Sequence, residues 1–291
     1  MCQRVDTDVL VGDRFCVKRQ RVVTLDRGRP GVTRHKGWCS VKRNAMVVLL
    51  GCLLLPAFST AAQAQQTEPI LFEVLDVHVT PGMTDEYEQA VLEGVAFREE
   101  HDYPFPVTVS QASPTHFRFL IRLENWDGRA RSDAWFQEHA STPPPFVSRL
   151  FGSTDHGSSS IVRVRPDLFY VPEEPQATFA ERGSLHEIRL YIEPGSVRDS
   201  LDAMRAFIPM YESHEVGTPR LGWQQVIGSD GPMVSVFFPA QSSADFYTTR
   251  NADTARMNPE FSDLYAEELA PTVRKREQFD WVPRRDLDYE P

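Results

Sequence analysis

The sequence predicts an α+β protein of two consecutive βαββαβ modules, ferredoxin-like in topology, packed sheet to sheet within one chain of 291 residues. Three observations point there. A strand that ends in a Pro-Gly turn and feeds a helix, Val77-His78-Val79-Thr80-Pro81-Gly82, recurs 113 residues later as Leu190-Tyr191-Ile192-Glu193-Pro194-Gly195. Phe169-Tyr170-Val171-Pro172 matches Phe279-Asp280-Trp281-Val282-Pro283 at an offset of 111, which also carries Arg163 and Arg165 onto Arg274 and Arg276. Two anchors at nearly one offset mark an internal repeat. Each half also alternates with period two before it switches to a helical stripe.

The elements follow in order. Leu71–Thr80 alternates, with Leu75, Val77 and Val79 on one face and Phe72, Val74, Asp76 and His78 on the other, so it reads as a strand. Pro81-Gly82 ends it. Thr84 and Asp85 are candidate N-caps of a helix whose stripe is Tyr87, Ala90, Val91, Val95 and Phe97, running to about His101. Val107–Gln111 and His116–Glu124 form a hairpin. Asn125-Trp126-Asp127-Gly128 reads as a turn, Ser132–His139 and Phe146–Phe151 as helices, and Gly152–Ser160 as a polar loop. Ile161–Val164 is open between helix and strand, and Leu168–Pro172 closes the first module, residues 69–172. A Pro-containing linker spans 173–183.

The second module covers 184–291. Leu185–Glu193 is its first strand, Val197–Tyr211 its first helix, and Arg220–Ile227 with Met233–Phe238 its hairpin. Ala244–Arg256 and Pro259–Arg276 read as helices, and Phe279–Pro283 closes. In each copy one face of the opening strand is apolar enough to pack on helices. The mixed opposite face needs cover, and two sheets facing each other supply it.

Bulk properties narrow the function classes. Of 31 Lys+Arg and 41 Asp+Glu, residues 1–64 hold 11 and 4, leaving 20 and 37 for the body. An acidic body repels phosphates, which argues against nucleic acid and anionic membranes as partners. Lys42-Arg43, the apolar run Ala45–Leu55 and Ala62-Gln63-Ala64 have the pattern of a secretory signal peptide cleaved after Ala64. The expected product is a secreted or periplasmic protein beginning at Gln65. Cys2, Cys16, Cys39 and Cys52 all precede that point, so the product would hold no thiol. No H-E-x-x-H metal motif, strand-to-helix phosphate loop or G-x-S-x-G elbow occurs.

The strand–Pro81-Gly82–helix opening and Glu124-Asn125-Trp126…Ala134-Trp135…His139-Ala140-Ser141-Thr142-Pro143 resemble the dimeric α+β barrel superfamily. The nearest likeness is to antibiotic-biosynthesis monooxygenase-like domains, with NIPSNAP-type domains next. The likeness covers about 70–172 and, more weakly, 184–283. It implies an intrachain α+β barrel, a monomer with a pseudo-twofold, and marks Trp135 and His139 as family-motif residues. It also implies a small-molecule-binding protein and, if an enzyme, a cofactor-independent monooxygenase-like oxidoreductase. The second copy has Arg250-Asn251 in the region of His139. A proline, Pro144 or Pro145, stands where some haem-degrading relatives carry an iron-ligating helix histidine.

The mixed strand faces collect Asp76, His78, His116, Arg118, Arg122, Glu187, Arg189 and Tyr191. Covered charges are costly unless paired. Two readings stay open. Asp76, Glu187, Arg118 and Arg189 pair and set sheet-to-sheet register. Alternatively the face lines a cavity, with His78 or Asp76 taking a proton and His116, Arg118, Arg122, Glu187, Arg189 and Tyr191 binding substrate. A non-catalytic scaffold or stress protein and a haem binder are the rival functional classes.

Overall fold

The computed structural model describes residues 69–291 apart from 140–142, 174–180 and 229. The predicted signal peptide, the four cysteines, Ala140-Ser141-Thr142 of the motif and most of the linker lie outside the described residues.

The first module runs β1 (Leu71–Val79), α1 (Thr84–Glu100), β2 (Val107–Ser113), β3 (His116–Glu124), α2 (Trp126–His139), α3 (Pro145–Ser153) and β4 (Thr154–Tyr170). The second runs β5 (Ser184–Ile192), α4 (Val197–Ser213), β6 (Arg220–Ile227), β7 (Met233–Ala240), α5 (Ser243–Met257), α6 (Glu260–Leu264) and β8 (Val273–Pro283). All pairings are antiparallel, and the eight strands close into one barrel in the order β1-β3-β2-β8-β5-β7-β6-β4. This is the intrachain α+β barrel that the sequence predicts.

Both modules open alike. Gly82 and Gly195 take φ of +88° and +95° after their prolines, a region glycine enters without strain. The turn directs the chain from β1 or β5 into a helix on the barrel's outer face. Alternation then decides what each strand shows. Leu71, Leu75, Val77 and Val79 pack under the first module's helices, whereas Phe72 and Val74 point into the barrel with Leu120, Val162, Leu185, Trp223, Phe237 and Trp281.

The barrel closes at two unequal seams. β4 is long enough to serve both sheets, pairing β1 through Thr154–Arg163 and β6 through Ile161–Tyr170. β8 pairs β5 along most of its length but reaches β2 only at Val282 and Pro283. The C-terminal tail completes that second seam. The Arg284 and Tyr289 amides donate to the Val109 and Val107 carbonyls, and Leu287 and Tyr289 are buried against the first module.

Four local expectations are corrected. Asn125–Gly128 is the start of α2 rather than a free turn: the Asn125 side chain accepts from the Gly128 amide. Gly152–Ser160 is mostly strand, and Ile161–Val164 continues it; its serines defeat the alternation rule because Ser158 and Ser160 face a polar interior. Val273–Arg276 belongs to β8, paired with β5 at Lys275–Tyr191 and Arg276–Leu190, so sheet pairing overrides the helix-favouring charges. Thr84 does not cap α1. Met83 holds the cap position, and the Thr84 hydroxyl donates to the Pro114 carbonyl.

Gly128 permits a close approach. A Cβ there would lie 1.7 Å from the Leu123 carbonyl oxygen. Gly128→Ala is expected to lower stability by about 1–3 kcal/mol, the cost of forcing an atom into filled space. Urea unfolding checks this, and an unchanged midpoint would show that α2 shifts freely.

Candidate functional site

The barrel interior gathers the charges that the sequence places on the mixed faces. The Arg118 guanidinium donates to Asp76 at 2.7 and 3.0 Å and to Glu187 at 2.6 Å. Arg189 reaches Asp76 at 3.1 Å and Glu187 at 3.3 Å. Glu187 also accepts from the Ser235 hydroxyl at 2.6 Å and the Trp281 indole at 2.9 Å. Arg118 lies 4.0 Å above the Trp281 ring and Arg189 4.7 Å above Phe279. Burial works against the Arg118 charge, yet Glu187 and Asp76 together hold its pKa above the ordinary guanidinium range. Two carboxylates and two guanidiniums thus neutralise one another across the module boundary. Tyr191 donates to Glu277 at 2.8 Å, and burial, then that bond, pushes its phenol up.

The open space beside this network is about 40 Å³. That admits a few water molecules, not a ring system. Arg122 is not part of the network: it lies four residues beyond Arg118, past Phe119, Leu120 and Ile121, and is exposed.

Three strand histidines form a column. His78 pairs in register with His116 on β3 and His156 on β4, and its ring stacks on theirs at 4.0 and 4.2 Å. His116 turns its edge to Trp281 at 4.9 Å and stands 3.9 Å from Asp76. Burial, then the neighbouring His78, Arg118 and His156, push the His116 pKa down to about 4 against the pull of Asp76. His78 is lowered by burial and His156, against Asp76 and Asp155.

The two motif residues belong to the first module's packing. Trp135 is buried, and its indole donates to the His101 carbonyl at 2.8 Å. The His139 ring stacks on Trp135, with Nδ1 2.9 Å from the Trp135 carbonyl. Tyr103, Phe105, Phe97 and the tail residue Tyr289 fill the same layer.

The second module leaves that layer open. A cavity of about 250 Å³ lies between the outer face of its sheet, with Ile188, Leu190, Val236 and Phe238, and the helix residues Met204, Phe207, Phe246 and Phe261. After α6 the chain continues in a π-helical turn, Tyr265–Leu269, whose two end residues also line the space. Such wider turns often mark functional sites. Arg220, Arg250 and Arg276 supply its charge, and no carboxylate is among its lining residues. Arg220 begins β6 where Val107 begins β2, and Thr218 stands two residues before it where Phe105 stands before Val107. Its guanidinium lies 3.4 Å above the Tyr211 ring. At the cavity's edge, buried His186 stacks on Phe246 and pairs through Nδ1 with Asp280 at 2.6 Å, and Asp280 also accepts from Tyr247 at 3.0 Å.

Sequence reasoning passed over these arginines. Arg250 was in view only as the replacement at the His139 region, and Arg276 only as a repeat marker. The usable signal was Arg220, a charge at a strand start that the first module fills with a buried valine.

No histidine or cysteine is among the cavity's lining residues; Tyr211 and Tyr265 are, and His186 stacks on the lining residue Phe246 at its edge.

Comparisons with known proteins give the fold a relative. No protein-family model matches the chain, and no curated protein does. A crystal structure of an anthrone oxidase-like protein matches with 11% identity and a TM-score of 0.50, over 75% of this chain and 92% of that one. An inferred monooxygenase from Fusobacterium nucleatum matches with 10% identity and a TM-score of 0.48, over 77% and 99%. Chlorite dismutase from Candidatus Nitrospira defluvii in complex with imidazole matches with 9% identity and a TM-score of 0.46, over 75% and 93%. The closed eight-stranded sheet and the first of these likenesses give the chain the dimeric α+β barrel fold, closed within one polypeptide.

Two outcomes test this geometry. Arg118→Met strands two buried carboxylates and is expected to cost about 3–5 kcal/mol by urea denaturation; a neutral result would mean water already screens the network. The His116 pKa is depressed in the folded state, so the unfolded chain binds more protons between about pH 4 and 6.5. The stability from neutral His116 is then full above 6.5 and lost as pH falls toward 4, on the order of 2 kcal/mol. His116→Phe should flatten the denaturation midpoint across that window; an equal slope in wild type and variant would assign it elsewhere.

Proposed function

We propose that this protein binds a small molecule between the sheet and helices of its second module, as a barrel of the monooxygenase-like kind. The observation that carries the reading is the contrast in free volume: about 250 Å³ on the helix side against about 40 Å³ inside the barrel. A dry apolar cavity of about 150 Å³ already accepts benzene, so a bicyclic aromatic body fits here. The walls are apolar, with few polar groups converging on one side, the usual make-up of a ligand site.

The anthrone oxidase-like neighbour supports a catalytic form of the same reading. An electron-rich aromatic substrate would give up its proton to water before it enters, and its anion would react in the cavity directly with oxygen without a cofactor. This chain's residues would orient the ring, exclude water and stabilise the anion. Binding without catalysis is the alternative. We also read the modules as copies of one duplicated unit, supported by β1 and β5, and α1 and α4, which start and end 113 residues apart. Export with cleavage after Ala64 completes the proposal; N-terminal sequencing of protein recovered from the periplasm or medium should return Gln65 first.

Met204→Trp places a larger side chain in the cavity without touching the barrel network. Equilibrium dialysis with 2-naphthalenemethanol should show binding to wild type and a loss of about tenfold or more in the variant. Oxygen uptake with anthrones and quinols separates the two forms of the reading. Uptake abolished by Met204→Trp supports catalysis; binding with no uptake supports binding alone; no binding by wild type removes the proposal.

A further inference from the structure

The second-module cavity pairs apolar walls with three guanidiniums that have no carboxylate to neutralise them. Arg220 is 7% exposed, and its Nε has no hydrogen-bond partner. Its charge rests on the faces of Tyr211 and Phe238, at 3.4 and 5.6 Å. Arg250 is half-buried, lies 5.6 Å over Phe246 and forms no ion pair among the described residues. Arg276 is exposed at the rim, where it meets the Gln278 amide oxygen. The nearby carboxylates are committed elsewhere. Asp280 holds His186 and Tyr247, and Asp253 holds Thr218 and Arg256. Burial, then Arg276 and Arg220, lower the Arg250 pKa, as expected of cations gathered without a counter-charge.

A buried positive cluster is costly unless an anion joins it. The surrounding apolar layer keeps the local dielectric low and strengthens that attraction. Resting on the cavity as ligand site, we propose that the ligand is an amphipathic organic acid, its ring or acyl body among Met204, Phe207, Phe246 and Phe261 and its carboxylate held by Arg220 and Arg250. Arg276 at the rim adds long-range attraction for an incoming anion. Two planar guanidiniums suit a carboxylate, since each offers paired donors to its two oxygens.

A matched pair of probes tests the assignment: 2-naphthoate and 2-naphthalenemethanol, alike in ring and differing in charge. Binding to the full chain is measured by calorimetry at low salt. Wild type should prefer the acid by about tenfold or more, the scale of a charge-assisted hydrogen bond. That preference should fall to below about threefold in Arg250→Gln and in Arg220→Gln, with the alcohol's affinity moving less than the acid's. Circular dichroism screens for folding; if buried Arg220 cannot be replaced, Arg250→Gln decides alone. Equal affinity for both probes, or an acid preference that survives Arg250→Gln, overturns the organic-acid assignment and leaves the cavity as a neutral-ligand site. Failure of wild type to bind either probe removes the cavity reading and this assignment together.

Discussion

Arg118 is the joint on which the barrel turns. It sits on β3 of the first module, grips Asp76 on the adjacent β1, and extends its remaining nitrogen to Glu187 on β5 of the second. Arg189 returns the gesture from β5 to Asp76. Buried charges tolerate no slippage, because a one-residue shift turns each side chain to the opposite sheet face. The network joins the inner faces of the two modules in a single register. It also occupies the space that facing sheets would otherwise offer a ligand. With the interior committed to ion pairs, the larger free volume lies on an outer face, beneath the helices.

Those outer faces differ within one architecture. In the first module Tyr103, Phe105 and Trp135 fill the layer, and the C-terminal tail crosses over to lay Leu287 and Tyr289 on it. Tyr289 donates to the Tyr103 carbonyl at 2.7 Å, so the tail seals the layer and extends the narrow β8–β2 seam at once. In the second module Thr218 and Arg220 stand at the positions that Phe105 and Val107 hold in the first, and the residues after α6 widen into a π-helical turn at the cavity edge. The first module's solid packing stabilises the barrel, and the second's open layer supplies a concavity.

Much of the framework was legible because alternation reports faces directly. The split of β1 into an outer Leu75-Val77-Val79 row and an inner Phe72-Val74-Asp76-His78 row follows from period two alone. The same rule gives Asp76, Arg118, Glu187 and Arg189 their inward parity, Asp76 and Arg118 on adjacent β1 and β3 and the other two on β5 across the barrel. β4 was not legible across 154–160, since a strand whose inner face meets charges carries serines where a core strand carries valines. Val273–Arg276 misled for a similar reason: exposed basic residues suit a helix as well as an edge of β8. The cavity lay further out of reach. It depends on how far α5 and α6 stand from the sheet, a distance that no residue pattern encodes. Arg122 shows the converse limit, for correct parity placed it on the inward face while its position along the strand carried it to the exposed end.

The chain's two arginine groups show why parity and charge alone do not define a site. Arg118 and Arg189 face two carboxylates, so their charges cancel and their hydrogen-bonding capacity is spent within the protein. Arg220, Arg250 and Arg276 face a tyrosine ring, a phenylalanine ring and an amide. Those neighbours lower the cost of a buried cation but do not neutralise it. The first arrangement is electrically closed and mechanically stiff. The second retains net positive potential inside apolar walls, where field lines are focused rather than dispersed by water. What separates the structural arginines from the candidate binding ones is therefore the identity of the counter-group, and that is settled only when the fold brings distant segments together.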